Sequence, residues 1–99
     1  MTQFDWEFVA LADKLEDFER HFSASGSWAG LFRRSAGYQG TTLLRDAKNA
    51  RRFLTIDRWE SDTSFRAMRE RFAREYDELD RACEAFIESE RSIGVFEEE

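Results

Sequence analysis

One carboxylate in the chain stands out as a group that could do chemistry. Asp57 follows Leu54-Thr55-Ile56 and precedes Arg58-Trp59, so it lies in an apolar stretch that is typical of a strand. A buried carboxylate is costly unless it is paired, and burial raises its pKa. Asp57 could therefore be a base or could orient a substrate hydroxyl. An ion pair with an arginine, or a hydrogen bond from a backbone amide, is the structural alternative.

Aromatic side chains form the second candidate group. Phe, Trp and Tyr make up 15% of the sequence. Trp28 and Tyr38 lie on irregular segments flanked by glycine, where ligand contacts are common, and each carries a polar tip that needs a partner when buried. With Phe32 and Tyr76 they are the predicted substrate-binding residues. The same spacing would also suit an ordinary hydrophobic core.

The remaining reactive side chains give little indication of a catalytic or metal-binding function. Cys83 is the only cysteine and lies on the apolar stripe of a predicted helix, which favours a small core residue over a nucleophile. His21, the only histidine, is expected to be a helix residue and not a ligand. Arg33-Arg34 and Arg51-Arg52 could meet an anionic group but are more typical of solvated loops. No metal-site spacing is present, so we expect no metal.

The elements that must position these side chains follow from hydrophobic periodicity. Alternation over about residues 3–10 predicts a first strand, and Leu11, Leu15, Phe18 and Phe22 predict a helix that ends near Ser25-Gly26. A short irregular helical turn covers 27–34. Strands are predicted at 41–45 and 51–59, joined by a hairpin loop at 46–50.

The second half of the chain is predicted to be one long helix and a last strand. Ser61 is a good N-cap, and apolar residues recur every three or four positions from Phe65 to Phe86, with a possible break near 76–79. The last strand is predicted at 91–96. The order β-α-β-β-α-β predicts a ferredoxin-like α+β fold in a single domain (1–99), with a four-stranded antiparallel sheet and both helices on one face.

The other face of that sheet is predicted to be apolar as well. Leu43 and Leu44 are adjacent in one strand, and Leu54 and Ile56 alternate with Phe53 in the next, so apolar side chains must point both ways. No residues are left to cover the second face. A second copy of the sheet is the simplest cover, which predicts a homodimer.

Composition excludes several classes of partner. The formal net charge of −6 argues against nucleic acid and anionic membranes, and the third strand lacks the glycine-aromatic signature of RNA-recognition modules. No apolar run is long enough to span a membrane, and no secretion signal is evident. A cytoplasmic protein is expected.

The motifs along the chain resemble the antibiotic biosynthesis monooxygenase domain family, within the dimeric α/β-barrel superfamily. In chain order these motifs are Phe18-Glu19, Gly26-Ser27-Trp28-Ala29-Gly30-Leu31-Phe32, Gly37-Tyr38-Gln39-Gly40-Thr41, Leu54 to Ser61, and Ile93-Gly94-Val95-Phe96. The resemblance implies a dimeric barrel. It also implies one of several functions, among them cofactor-free oxidation of aromatic molecules to quinones and haem degradation. A haem-degrading relative would carry a histidine on the second long helix, which this sequence lacks.

Two functions follow as expectations. The first is a cofactor-independent monooxygenase that acts on a small aromatic or polyphenolic molecule, with Asp57 as the catalytic residue and Trp28, Phe32, Tyr38 and Tyr76 around the substrate. The alternative is a non-catalytic, ligand-binding or stress-associated dimer. A purely structural dimer with a filled core is a third possibility, and an open cavity would count against it.

Overall fold

Four antiparallel strands form one sheet in the computed structural model, which describes all residues from 1 to 99. The strands are β1 (Thr2–Ala10), β2 (Tyr38–Asp46), β3 (Asn49–Trp59) and β4 (Ile87–Glu97), in the spatial order β2-β3-β1-β4. This order is the ferredoxin-like α+β arrangement that the sequence predicts.

The helices are shorter than the periodicity suggests. They are α1 (Leu15–Phe22), α2 (Ser27–Phe32), α3 (Asp62–Arg71) and α4 (Ala73–Cys83), with single 3-10 turns at Ala12–Lys14 and Glu84–Phe86. The Ser61 hydroxyl accepts a hydrogen bond from the Ser64 backbone N–H at 3.1 Å, which confirms Ser61 as the N-cap of α3.

The predicted helix break at 76–79 is wrong in position. The chain leaves helical geometry at Phe72, whose φ of −110° and ψ of 32° separate α3 from α4. Phe72 is buried, and the Arg34 guanidinium lies 4.4 Å from its ring centroid. Neither glycine nor proline marks this position, so tertiary packing and not local propensity places the bend.

The two edge strands extend well beyond their predicted limits, and β3 begins at Asn49, two residues before its predicted start. β4 begins at Ile87, four residues before the predicted start, because its first half pairs with β1 while carrying mostly polar side chains. β2 begins at Tyr38 and not at 41, and its hairpin to β3 turns over two residues, Ala47 and Lys48. A polar edge strand shows no alternation of hydrophobicity, so its limits cannot be found by that signal.

The register decides which side chains share a face. The helices cover the face of β3 that carries Phe53, Thr55, Asp57 and Trp59. The even-numbered residues of β1 pair with these four residues and lie on the same face. Leu54 and Ile56 face away from the helices, as predicted, and Leu43 and Leu44 of β2 take opposite faces. The buried core lies between sheet and helices and is mainly aromatic.

Candidate functional site

A cavity of about 400 Å³ lies between the helices and the inner face of the sheet. This volume is within the range of sites for small molecules. Its apolar wall is almost entirely aromatic: Phe4, Trp6, Phe8, Phe22, Trp28, Phe32, Phe65 and Tyr76, with Ile87. Its polar wall consists of hydroxyls and carboxylates: Thr41, Thr55, Asp57, Asp80 and Glu90. The core is therefore not filled.

Asp57 is brought to this cavity by the register of β3. It lies directly opposite Phe4 of β1 and Thr41 of β2, with its side chain on the helix side of the sheet. No arginine, lysine or histidine forms an ion pair with it, although its sequence neighbour Arg58 donates to Thr42 on the other face at 3.0 Å. Asp57 is a partly buried carboxylate held only by a neutral hydroxyl.

The surroundings of Asp57 raise its pKa from the ordinary value of 3.8 to about 6. Burial is the main cause, and the charge of Asp5 adds to it. The hydrogen bond from Thr41 and the charge of Arg58 act in the opposite direction. A carboxylate with this pKa is largely ionised near neutral pH yet basic enough to accept a proton, which suits a general base.

Two hydroxyls connect Asp57 to Tyr38. Thr41 Oγ1 donates to Asp57 Oδ1 at 2.5 Å, and the Tyr38 hydroxyl lies 2.5 Å from Thr41 Oγ1. Because Thr41 has one proton to donate, Tyr38 must donate to Thr41 when Asp57 is ionised. Burial raises the pKa of Tyr38, so its hydroxyl keeps its proton and remains a donor.

Tyr38 itself does not line the cavity. Its ring packs against Phe32, at 5.5 Å between centroids, and against Trp59, at 5.2 Å. The structure thus places Tyr38 behind the cavity wall, in contact with Asp57 through Thr41. The other predicted substrate-binding residues, Trp28, Phe32 and Tyr76, line the cavity directly.

Trp28 and Tyr76 form an edge-to-face pair across two helices, with ring centroids 4.9 Å apart. The Trp28 indole N–H is buried and has no hydrogen-bond acceptor. The proximity of this N–H to Cys83 lowers the pKa of that thiol. Burial is the larger influence and raises the pKa of Cys83 to about 11, so the thiol is a poor nucleophile.

The other candidate side chains lie elsewhere. His21 Nδ1 is 2.7 Å from Ser27 Oγ, and its ring stacks on Phe86 outside the cavity. Arg52 pairs with Glu7 and Asp46, and Arg51 pairs with Glu88. No three His, Cys, Asp or Glu side chains are arranged to hold a metal ion. No helix is both long and apolar enough to cross a membrane.

Sequence reasoning missed Thr41, Thr55, Asp80 and Glu90, as well as the cavity role of the β1 aromatics. One signal could have located Thr41. Gly40 has a φ of +122°, and the register of β2 shifts between Tyr38 and Gly40. A glycine inside a strand often marks such a bulge, and here the bulge puts Tyr38 and Thr41 on one face although they are three residues apart.

The model of the antibiotic biosynthesis monooxygenase family matches residues 7–74. The chain belongs to this family. The matched segment includes Trp28, Tyr38 and Asp57 and ends before Tyr76. No curated protein matches the chain in sequence.

Solved structures of other family members have the same fold. A point variant of SnoaB, a cofactor-independent oxygenase from Streptomyces nogalater, superposes with a TM-score of 0.81 at 22% identity, over 98% of this chain and 91% of that one. A protein from Deinococcus radiodurans that carries the name of the antibiotic biosynthesis monooxygenases superposes with a TM-score of 0.80 at 12% identity, over 100% of this chain and 93% of that one. A third, from Nitrosomonas europaea, has a TM-score of 0.74 at 15% identity, over 99% and 98%. Identities this low show a shared fold and leave the reaction open.

Proposed function

We propose that this family member is a cofactor-independent monooxygenase that oxidises a small phenolic aromatic molecule. The observation that carries the proposal is Asp57, a carboxylate without an ion-pair partner whose pKa is raised to about 6, on the wall of an otherwise aromatic cavity. The fold shared with the cofactor-independent oxygenase SnoaB supports the proposal.

In the proposed reaction Asp57 removes the proton of a substrate hydroxyl. The phenolate is electron-rich, and its ring carbon para to the oxygen bonds to O2. The resulting peroxide takes back the proton that Asp57 removed and becomes a hydroperoxide. Loss of that carbon's hydrogen and cleavage of the O–O bond then give a quinone and water. The substrate supplies all four electrons that reduce O2, so one oxygen atom enters the product and the other leaves as water.

The cavity side chains have separate roles in this reaction. Trp28, Phe32 and Tyr76 hold the flat substrate, since aromatic rings pack favourably edge to face or offset. Thr41, with its proton directed at Asp57, orients the carboxylate, and Tyr38 fixes the direction of the Thr41 hydroxyl. The proposed contribution of the base is in the range of 10²–10⁴-fold, roughly that of general-base catalysis elsewhere.

Oxygen uptake with anthrones tests the proposal, because their enol tautomers are phenols with a hydrogen on the carbon para to the hydroxyl. Asp57→Asn keeps the shape of the site but cannot accept the proton, so we expect binding to persist while oxygen uptake falls by at least about 100-fold. Asp17→Asn is the matched control, because Asp17 is a surface carboxylate paired with Arg20. Binding without oxygen uptake in the wild-type protein would instead support a non-catalytic ligand-binding protein.

We also propose that the protein is a homodimer that buries the outer face of the sheet, which is the face that points away from the helices. Proteins of this family are typically dimeric. Leu44 and Phe96 of that face are 47% and 48% exposed in the single chain, and Leu54 and Ile56 lie between them. The adjoining strands β2 and β3 present apolar side chains on this face, and β1 separates them from Phe96 of β4 by Gln3, Asp5 and Glu7. The apolar part of the face favours burial against a second sheet.

Light scattering with size-exclusion chromatography tests the dimer. Leu44→Glu places a charge on the outer face and should yield a monomer of 11.7 kDa. Ala47→Glu adds the same charge at the exposed hairpin turn and should leave the dimer intact. A monomeric wild-type protein at micromolar concentration would refute this assembly.

A further inference from the structure

All the charged side chains that line the cavity are acidic. Asp57 lies on the inner wall, and Asp80 of α4 and Glu90 of β4 are exposed at the mouth. No lysine, arginine or histidine lines the cavity. The wall therefore offers three negative charges and no positive one to a bound molecule.

These carboxylates are not neutralised by the protein. None of the three forms an ion pair, whereas Arg69, the arginine nearest to the Tyr76 ring at 4.1 Å, pairs with Asp77 at 2.9 Å. Burial is the main cause that raises the pKa of Tyr76, the charge of Arg69 lowers it, and the charges of Asp80, Asp57 and Glu90 all raise it. Their fields thus converge on the same aromatic wall.

We infer that the cavity selects aromatic molecules that carry a protonated amine and rejects those that carry a carboxylate. The inference rests on the cavity being the substrate site proposed above. An ammonium group at the mouth would lie near Asp80 and Glu90 while the rings fill the aromatic part of the cavity. Trp28 and Tyr76 would add cation–π attraction. An anionic group would meet repulsion with no basic residue to compensate it.

Binding by three naphthols that differ in one substituent tests this selectivity. The substituent is aminomethyl, methyl or carboxyl at the same ring position, and calorimetry measures each dissociation constant at low salt. We expect the amine to bind at least about tenfold more tightly than the acid, with the neutral compound between them. Added salt should reduce the ratio, because the mouth carboxylates are exposed and screened.

Charge-neutralising variants locate the effect. Asp80→Asn and Glu90→Gln should each reduce the ratio of amine to acid affinity by at least about twofold, and the double variant should reduce it further. Glu78→Gln is the matched control: it removes the same charge from α4, but its side chain pairs with Arg74 away from the cavity. Its ratio should equal that of the wild type.

Failure of this inference differs from failure of the proposed function. Equal binding of the amine and the acid, or an equal loss of selectivity in Glu78→Gln, would overturn the inference even if the neutral naphthol is oxidised. Preferential binding of the amine with no oxygen uptake by any phenol would support the inference and overturn the monooxygenase assignment.

Discussion

The raised pKa of Asp57 implies that this carboxylate reduces the stability of the fold at neutral pH. A group whose pKa is higher in the folded than in the unfolded state binds protons more strongly when folded, so the free energy of unfolding falls as pH rises. The fall begins near the unfolded value of 3.8 and is complete above about 6. The difference of about two units corresponds to a loss of about 3 kcal/mol.

Asp57→Asn should remove this penalty because the amide is close in size and cannot ionise. Below pH 4 the variant and the wild type should have similar stability. At pH 7 to 8 the variant should be more stable by up to about 3 kcal/mol. A substitution that stabilises the fold and abolishes oxygen uptake would identify Asp57 as a residue that is kept for function at a cost in stability.

Urea unfolding between pH 4 and pH 8 measures the effect, at one protein concentration because the stability of the proposed dimer depends on concentration. The relevant quantity is the difference between the two proteins at each pH, since the other carboxylates titrate in both. Asp17→Asn controls for the change in net charge. A difference that stays constant across this range would refute the assignment of a raised pKa to Asp57.

Three further predictions concern individual side chains. Thr41→Val removes the hydroxyl that donates to Asp57 and should raise the pKa of that carboxyl by about one unit; carbon NMR of the carboxyl group measures it, and an unchanged pKa would contradict the hydrogen bond. Ser61→Ala should reduce the free energy of unfolding by about 1 kcal/mol through loss of the α3 cap, as read by urea unfolding. Gly37→Ala should reduce the free energy of unfolding by at least about 1 kcal/mol, because the φ of Gly37 is +90° and the new Cβ would lie 2.6 Å from Ser64 Oγ. A urea-unfolding midpoint equal to that of the wild type would contradict this prediction and show that the turn relaxes.

Local patterns in the sequence were sufficient to predict the main elements of the fold. Alternating Phe4, Trp6 and Phe8 predict β1, and the Ser61 cap fixes the start of α3. These signals are local because strand pleat and helix turn impose fixed spacings on buried side chains. The two apolar faces of β3 follow from the same rule, and so does the prediction that a second copy covers the outer face.

The arrangement of the site depends on contacts between distant parts of the chain. The sequence draws attention to Asp57 and Trp28 but cannot show that Thr41, 16 residues earlier, supplies the hydrogen bond to Asp57. That contact depends on the register of β2 with β3 and on the bulge at Gly40.

The cavity and its charge are also tertiary properties. Whether aromatic side chains fill a core or leave a space depends on the distance between the helices and the sheet. That distance depends in turn on the bend at Phe72. Asp80 and Glu90 belong to different elements and share one cavity mouth only in the folded chain. The sequence by itself therefore determined the main strands and helices and their order along the chain, because both follow from the short-range spacing of apolar side chains. Only the tertiary structure decided which carboxylates act together, because strand register and helix packing set the distances between them.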